Sequence, residues 1–321
     1  MIHVAIAFDA KMMQGACVTA LSAIQSTKER LTIHFLTPSP LQGLNRCIKY
    51  LEAKGGRVVH HLIGDKFGDL PAPAWLPPAT LYRFLLPDLI DAKRVLYLDA
   101  DTVVVRDLAE LHQADLGGAP LAAMVDYPLY YWETGHHQTF AGETMSLEHY
   151  LKTIIGSDPA RKVYFNSGVL VMDLDLWRTR YIASQAIAFL RGHDHPLIWF
   201  DQDALNAVIG SDYAPLDARW NSFAGFTVEK FRPISQSDAL WEDVVRKWAE
   251  DPWIVHFASH YKPWRKDHNR TPLEPFFWNV ARQLPSPDGL LIRCMRALGA
   301  RSGEVEPEWR TRRWPLVERS G

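Results

Sequence analysis

The chain has 321 residues, 47% of them hydrophobic and 22% charged, with a formal net charge of -2. That balance excludes a disordered or fibrous polypeptide and leaves apolar material for a sizeable core, while the near-neutral charge gives no global attraction to nucleic acid, which is not expected as a partner. The cysteines Cys17, Cys47 and Cys294 lack the paired spacing of a zinc site or a disulfide framework and fit a reducing compartment.

Ile2 to Phe8 reads as a buried strand from the second residue rather than as a charged leader, and no apolar run is long enough to span a bilayer. The expected location is the cytoplasm, with peripheral contact at the inner membrane face as an extension of that reading. A loop from Asp9 to Gly15 leads into a helix-friendly, mostly apolar stretch from Ala16 to Ile24. Leu31 to Thr37 is the second strand, stopped by Pro38; Leu44 to Lys54 is a helix closed by Gly55-Gly56, and Arg57 to Ile63 is the third strand. This alternation predicts an α/β fold with a mostly parallel central sheet and helices on both faces.

A further helix is expected from Ala79 to Leu86. Past Pro87 comes Arg94-Val95-Leu96-Tyr97-Leu98, the strongest central-strand signal in the chain. Sheets of this kind bind ligands at the carboxyl ends of their strands, so the residues after Leu98 lie where chemistry is expected. From about 127 to 161 the pattern loosens, which suggests an insertion over the site, before Val163 to Met172 restores a strand. Pro263, Pro272, Pro275, Pro285 and Pro287 then break the pattern ahead of a short basic helix, Leu290 to Leu298. The expected organisation is a main domain over residues 1–265 and a C-terminal appendage over 266–321 with a basic, Trp-rich tail.

Asp99-Ala100-Asp101 follows that central strand, and because side chains alternate along extended backbone the two carboxylates share a face and can grip one cation. Chance alone supplies roughly one Asp-x-Asp in such a chain, and a solvated turn is the alternative; its position after a buried strand favours the cation. His256 ends the run Trp253-Ile254-Val255 and is a second candidate ligand, although a lone histidine there also suits a structural role. Two carboxylates, an imidazole and diphosphate oxygens suit Mn2+, with Mg2+ as the alternative, whereas a zinc site recruits more nitrogen or sulfur. Lys262, six positions beyond His256, either aims its ammonium at the same phosphates or is a surface lysine before the packing residue Trp264. The chain has no Gly-x-x-x-x-Gly-Lys loop and no Gly-x-Gly-x-x-Gly. Asp201-Gln202-Asp203 opens a helix, where acids complement the dipole; the same groups can hydrogen-bond sugar hydroxyls, and spacing does not separate the two roles.

Four segments taken in order resemble glycosyltransferase family 8, the retaining family of bacterial lipopolysaccharide galactosyl- and glucosyltransferases and, more distantly, glycogenin. They are Ala79-Thr80-Leu81-Tyr82-Arg83 leading to Leu96 through Asp101; Tyr164-Phe165-Asn166-Ser167-Gly168-Val169; Asp201 through Asn206; and His256 through Lys262-Pro263-Trp264. The likeness runs from Met1 to about Trp264. It implies the GT-A nucleotide-binding fold, with residues 1–265 as the catalytic domain, about 127–161 on the acceptor side, and Asp99, Asp101 and His256 as manganese ligands. It also implies Lys262 and Ser259 at the donor diphosphate, Ala7 and Asp9 at the uracil, Ala100 among the donor-binding residues, and Arg83 near the diphosphate or donor sugar. Asn166, Asp201 and Gln202 would surround that sugar, and Asp126 would face the acceptor. Two departures stand out. Ala10-Lys11-Met12 replaces a frequent Asp-Asn-Tyr, removing the usual aromatic stack on the base, and Ser259 replaces a glycine that lets the backbone approach the phosphates.

The expected function is retaining transfer of glucose or galactose from a UDP-sugar to a glycan or lipopolysaccharide-type acceptor, with Gln202, Asp201 and Lys262 as catalytic residues. Double displacement needs a carboxylate under the anomeric carbon, for which Asp201 or Asp203 is available, but the resemblance puts Gln202 nearer that place and favours front-face substitution. Tyr127, Tyr130, Tyr131, Trp132, His136 and His137 suit either a stacking platform for an acceptor sugar or a hydrophobic seal. Arg293, Arg296, Arg310, Arg312 and Arg313 with Trp309 and Trp314 suit an anionic membrane carrying a lipid-linked acceptor, although Glu304, Glu306, Glu308 and Glu318 dilute their charge. The alternatives are a nucleotide-sugar-binding protein without turnover and a sugar nucleotidyltransferase, whose glycine- and lysine-rich loop the segment Asp9 to Gly15 lacks.

Overall fold

A computed structural model of the protein describes residues 1–70, 76–131, 137–138, 144–161, 163–193, 197–227 and 239–285. Its strands, in chain order, are β1 (Ile2–Ala7), β2 (Leu31–Thr37), β3 (Arg57–Leu62), β4 (Arg94–Leu98), β5 (Thr102–Val104), β6 (Leu121–Val125), β7 (His137–Gln138), β8 (Thr144–Met145), β9 (Phe165–Asp173), β10 (Ala214–Pro215), β11 (Ser222–Phe223) and β12 (Ile254–His256). Seven of them form a sheet of order β10-β6-β9-β4-β1-β2-β3. β1 pairs in parallel with β2 and β4, β2 with β3, and β10 with β6, while β9 runs antiparallel between β4 and β6. A three-stranded sheet of order β11-β12-β5 lies apart from it, and β7 pairs with β8.

Alternation along the strands divides the apolar residues between two cores. Ile2, Val4, Ile6, Leu96 and Leu98 enter one, with the helix Met13–Ser26; Ala5, Ala7, Val95 and Tyr97 enter the other. Because both faces are covered, β1 and β4 read as near-continuous apolar runs.

The helix expected at Ala79 to Leu86 is a 3-10 segment, Pro78–Leu85, followed by a short α-turn, Leu86–Leu89. Prolines open both pieces, and a proline has no N–H to continue a helix through its own position. The tighter winding still buries Leu81, Tyr82, Arg83 and Phe84.

Within the insertion, Tyr150, Leu151, Ile154 and Ile155 pack into the second core, whereas Trp132 and His136 lie outside the described residues. At the other end, Leu273, Phe277, Ala281 and Leu284 join the core of the helix Met13–Ser26, so the first part of the stretch expected as an appendage belongs to the main body. Residues 286–321, with the basic helix and the Arg/Trp tail, lie outside the described residues. Among the described residues no helix is long and apolar enough to cross a membrane.

Candidate metal and donor-sugar site

Parallel strands end at one rim of the sheet, which brings Asp9 after β1, Asp99 and Asp101 after β4, and Asp126 after β6 to the same side. β9 runs the opposite way, so its first residues, Asn166 to Gly168, lie on that rim as well. The Asp99 N–H donates to the Gly168 carbonyl at 2.8 Å, extending the β4–β9 pairing into the motif.

The small sheet delivers the histidine. β12 pairs antiparallel with β5, setting His256 opposite Thr102, and the Phe257 N–H donates to the Asp101 carbonyl at 2.8 Å. His256 Nε2 lies 3.3 Å from Asp101 Oδ1 and 3.8 Å from Asp99 Oδ2. Asp99, Asp101 and His256 each offer one ligand atom, and these atoms all lie within 4.8 Å of one another. Ligands about 2.0–2.2 Å from a common ion sit roughly 3–4 Å apart, so the donor set and its spacing fit a divalent cation with oxygen and imidazole ligands.

Two glycines missed as site residues in the sequence make this approach possible. A Cβ on Gly168 would fall 2.5 Å from His256 Cε1 and 2.9 Å from Asp99 Oδ2. One on Gly15 would fall 2.3 Å from the Ala100 carbonyl and 2.7 Å from Trp264, so the helix Met13–Ser26 presses directly on the residue between the two aspartates.

Lys262 Nζ donates to Asp101 Oδ2 at 2.6 Å and to the Phe257 carbonyl at 3.3 Å. The lysine expected at the phosphates therefore lies against Asp101 of the candidate ligand group. Burial pushes the Asp101 carboxyl up, but the Lys262 ammonium and the His256 ring outweigh it and hold it well below the usual carboxylate range.

Arg83 is buried at the back of the site. Its Nε donates to the Thr80 carbonyl (3.0 Å) and one terminal nitrogen to the Ser167 carbonyl (2.6 Å). The other nitrogen lies 3.1 Å from Asp99 Oδ1 and 3.3 Å from Asp201 Oδ2. The guanidinium lies over the Tyr97 ring, 4.2 Å from its centroid. Burial raises the Asp201 carboxyl to about 7 against the pull of Arg83. A positive φ at Phe200 (42°) turns the chain into the helix Asp201–Ile209, a conformation that costs a non-glycine residue on the order of 1–3 kcal/mol.

A buried amide network adjoins these candidate ligands. Asn166 Nδ2 donates to Asp126 Oδ2 (3.1 Å) and to Gln202 Oε1 (3.0 Å), and Gln202 Nε2 donates to Asp126 Oδ2 (3.0 Å). Burial pushes the Asp126 carboxyl up, partly offset by these two amides. Asp203 faces elsewhere: it accepts from the Tyr150 and Tyr164 hydroxyls at 2.7 and 2.6 Å and from the Trp199 N–H at 2.7 Å. Asn206 bonds both backbone groups of Phe165. Asn221, absent from the sequence reading, has its Oδ1 2.8 Å from His256 Nδ1 and donates through Nδ2 to Asn166 Oδ1 at 2.8 Å.

At the expected base end, Ala7 is buried, and Asp9 Oδ1 accepts from the N–H groups of Lys11 (2.9 Å) and Met12 (3.0 Å), shaping the turn that carries Ala10-Lys11-Met12. Ser259 is exposed and left-handed, with φ 58°.

The chain is 30% identical over 204 residues to general stress protein A of Bacillus subtilis (strain 168), covering 62% of this chain and 63% of that protein, and so spans less than two thirds of it. It is 27% identical over 288 residues to probable galacturonosyltransferase-like 3 of Arabidopsis thaliana, covering 84% of this chain and 76% of that one. A crystal structure of the galactosyltransferase LgtC in complex with donor and acceptor sugar analogues superposes with a TM-score of 0.70 at 22% identity, covering 96% of this chain and 99% of that one, which carries the GT-A fold. The model of glycosyl transferase family 8 matches residues 3–268, and the chain belongs to that family.

Proposed function

We propose that the chain transfers glucose or galactose, with retention, from a UDP-sugar to a glycan acceptor, using a divalent cation, Mn2+ in the first instance, at Asp99, Asp101 and His256. The observation that carries this reading is the approach of two acids and an imidazole within 4.8 Å of one another, beside the amide network of Asp126, Asn166 and Gln202. A bound cation supplies positive charge to a diphosphate leaving group. Lys262 adds its ammonium on the same side, and Arg83 anchors Asp99 and Asp201 so that neither has to reorganise during the reaction.

The carboxylates near the sugar side favour front-face substitution. Asp203 is fully engaged by three donors and Asp201 is paired with Arg83, so neither offers a free nucleophile. Gln202 with Asn166 can hydrogen-bond sugar hydroxyls instead, while the acceptor oxygen enters near Asp126. The bond from the anomeric carbon to the diphosphate breaks, the bond to the acceptor oxygen forms on the same face, and the acceptor proton passes to the departing phosphate oxygen.

The test is hydrolysis and transfer with UDP-, GDP- and ADP-sugars, including UDP-galacturonic acid because one relative carries that name, with and without Mn2+. Turnover is expected with a UDP-hexose and Mn2+; unimpaired turnover in Asp99→Ala, or without any divalent ion, overturns the reading. A lipid-linked acceptor in the cytoplasm at the inner membrane face is the fuller form of the proposal. It is checked by co-sedimentation with anionic liposomes, where equal recovery of full-length and tail-truncated protein removes it.

A further inference from the structure

We infer that Asn221 is a positioning residue that fixes the tautomer of His256, holding the ring hydrogen on Nδ1 so that Nε2 presents its lone pair to the cation shared with Asp99 and Asp101; this rests on the metal-site reading above. Asn221 is fully buried in the one-turn helix Ala218–Asn221, immediately before β11, and β11 pairs with the strand that carries His256.

The orientation of every amide in the chain of contacts follows from a backbone group that can only donate. The Gly168 N–H lies 2.9 Å from one side-chain atom of Asn166, which must therefore be its oxygen. The Asn221 atom 2.8 Å from that oxygen must in turn be its nitrogen. This leaves the Asn221 oxygen facing His256 Nδ1 at 2.8 Å, and an amide oxygen accepts only, so Nδ1 carries the hydrogen. The Ser167 N–H settles Gln202 in the same way, at 2.9 Å from its oxygen.

The rest of the ring is fixed by packing. Phe223 stacks on it with centroids 5.2 Å apart and an interplanar angle of 23°, and Gly168 lies against Cε1. Nε2 then points at Asp101 Oδ1 and Asp99 Oδ2. Metal-bound histidines depend on such an outer partner for orientation and basicity, and its loss typically weakens metal binding about 10–100-fold. Asn221 also joins the two halves of the site, since its other hydrogen bond reaches Asn166 and through it Asp126 and Gln202.

Ring 15N chemical shifts of His256 in the full chain, assigned against His256→Gln, read the tautomer with the diamagnetic ion Cd2+ added. A protonated Nδ1 and an unprotonated Nε2 are expected; an unprotonated Nδ1 overturns the proposal. The Mn2+ dissociation constant, followed by the signal of free Mn2+ in electron paramagnetic resonance, is compared between the unaltered protein, Asn221→Leu and Asn221→Asp. Asn221→Leu is expected to bind about 10–100-fold more weakly, whereas Asn221→Asp, which keeps an acceptor for Nδ1 but cannot donate to Asn166, stays close to the unaltered protein. Undiminished affinity in Asn221→Leu, or equal loss in both variants, overturns the role. Failure of the metal reading looks different: the unaltered protein then binds no Mn2+ at all, and the proposal falls with it.

Discussion

The α-carbon of Gly168 lies against the His256 ring so closely that an added Cβ would come within 2.5 Å of Cε1 and 2.9 Å of Asp99 Oδ2. Neither side can yield easily. The Gly168 backbone is held through its carbonyl by Asp99 and through its N–H by Asn166, and His256 is held by Phe223 and Asn221. Gly168→Ala is therefore expected to fold but to push the imidazole away from the two aspartates. A Mn2+ titration should give at least about tenfold weaker binding, with a parallel loss of transfer, and unchanged affinity would show that the ring can shift freely.

Arg83 satisfies two carbonyls and two carboxylates from a position almost without solvent contact. Its fork of donors has no equivalent in a lysine, whose single ammonium cannot reach Thr80, Ser167 and both acids at once. Removing one partner of a buried charge cluster strands the others, so Arg83→Met should lower stability by about 3–5 kcal/mol, with Arg83→Lys intermediate. Denaturant midpoints measure this; a loss below about 1 kcal/mol would mean the cluster relaxes by admitting water.

Three histidines form a ladder across adjacent strands away from Asp99, Asp101 and His256. His3 Nδ1 meets His34 Nε2 at 2.9 Å, and His34 Nδ1 meets His61 Nε2 at 3.1 Å, with successive rings stacked. Burial, then the neighbouring rings and Arg57, lower His34 to about 3 from its ordinary 6.5, and burial also lowers His3 and His61. A base with a depressed pKa in the folded state contributes stability that is complete above its unfolded value and is lost as pH falls from there toward the folded one. Acidification from pH 7 to 5 should cost about 2 kcal/mol through His34 alone. His34→Leu should flatten this part of the profile in denaturant unfolding, and an equally steep profile in the variant would place the effect elsewhere.

Ser259 has φ 58°, a left-handed conformation that favours glycine, in the segment between His256 and Lys262. Ser259→Gly should raise stability by about 1 kcal/mol, read as a higher thermal midpoint. A lower midpoint would indicate that the serine side chain contributes contacts that outweigh its backbone strain.

Much of this molecule is written locally. The apolar runs at Ile2 to Phe8, Leu31 to Thr37 and Arg94 to Leu98 announce a sheet covered on both faces. Strand alternation predicts a shared face for Asp99 and Asp101, but the chain turns at Ala100 and Asp101 between β4 and β5, and it is this turn, with the β5–β12 pairing, that brings both carboxylates to His256. The 3-10 winding at Pro78–Leu85 was less legible, since its apolar spacing also suits an α-helix and only the prolines at each start argue otherwise.

The sequence by itself determined the class of sheet, the rim that carries the candidate site and the family motifs, because these depend on periodicity and on short spacings. Only the tertiary structure decided that β9 enters antiparallel and brings Asn166 and Gly168 to the rim, that Asp203 turns toward Tyr150 and Tyr164, and that Asn221 stands behind His256. Leu273 to Leu284 likewise entered the main core although prolines suggested a break. These outcomes rest on partners far apart in the chain, as with Lys262 and Asp101 at a separation of 161 residues. Strand pairing and packing choose such partners, and no local pattern encodes them.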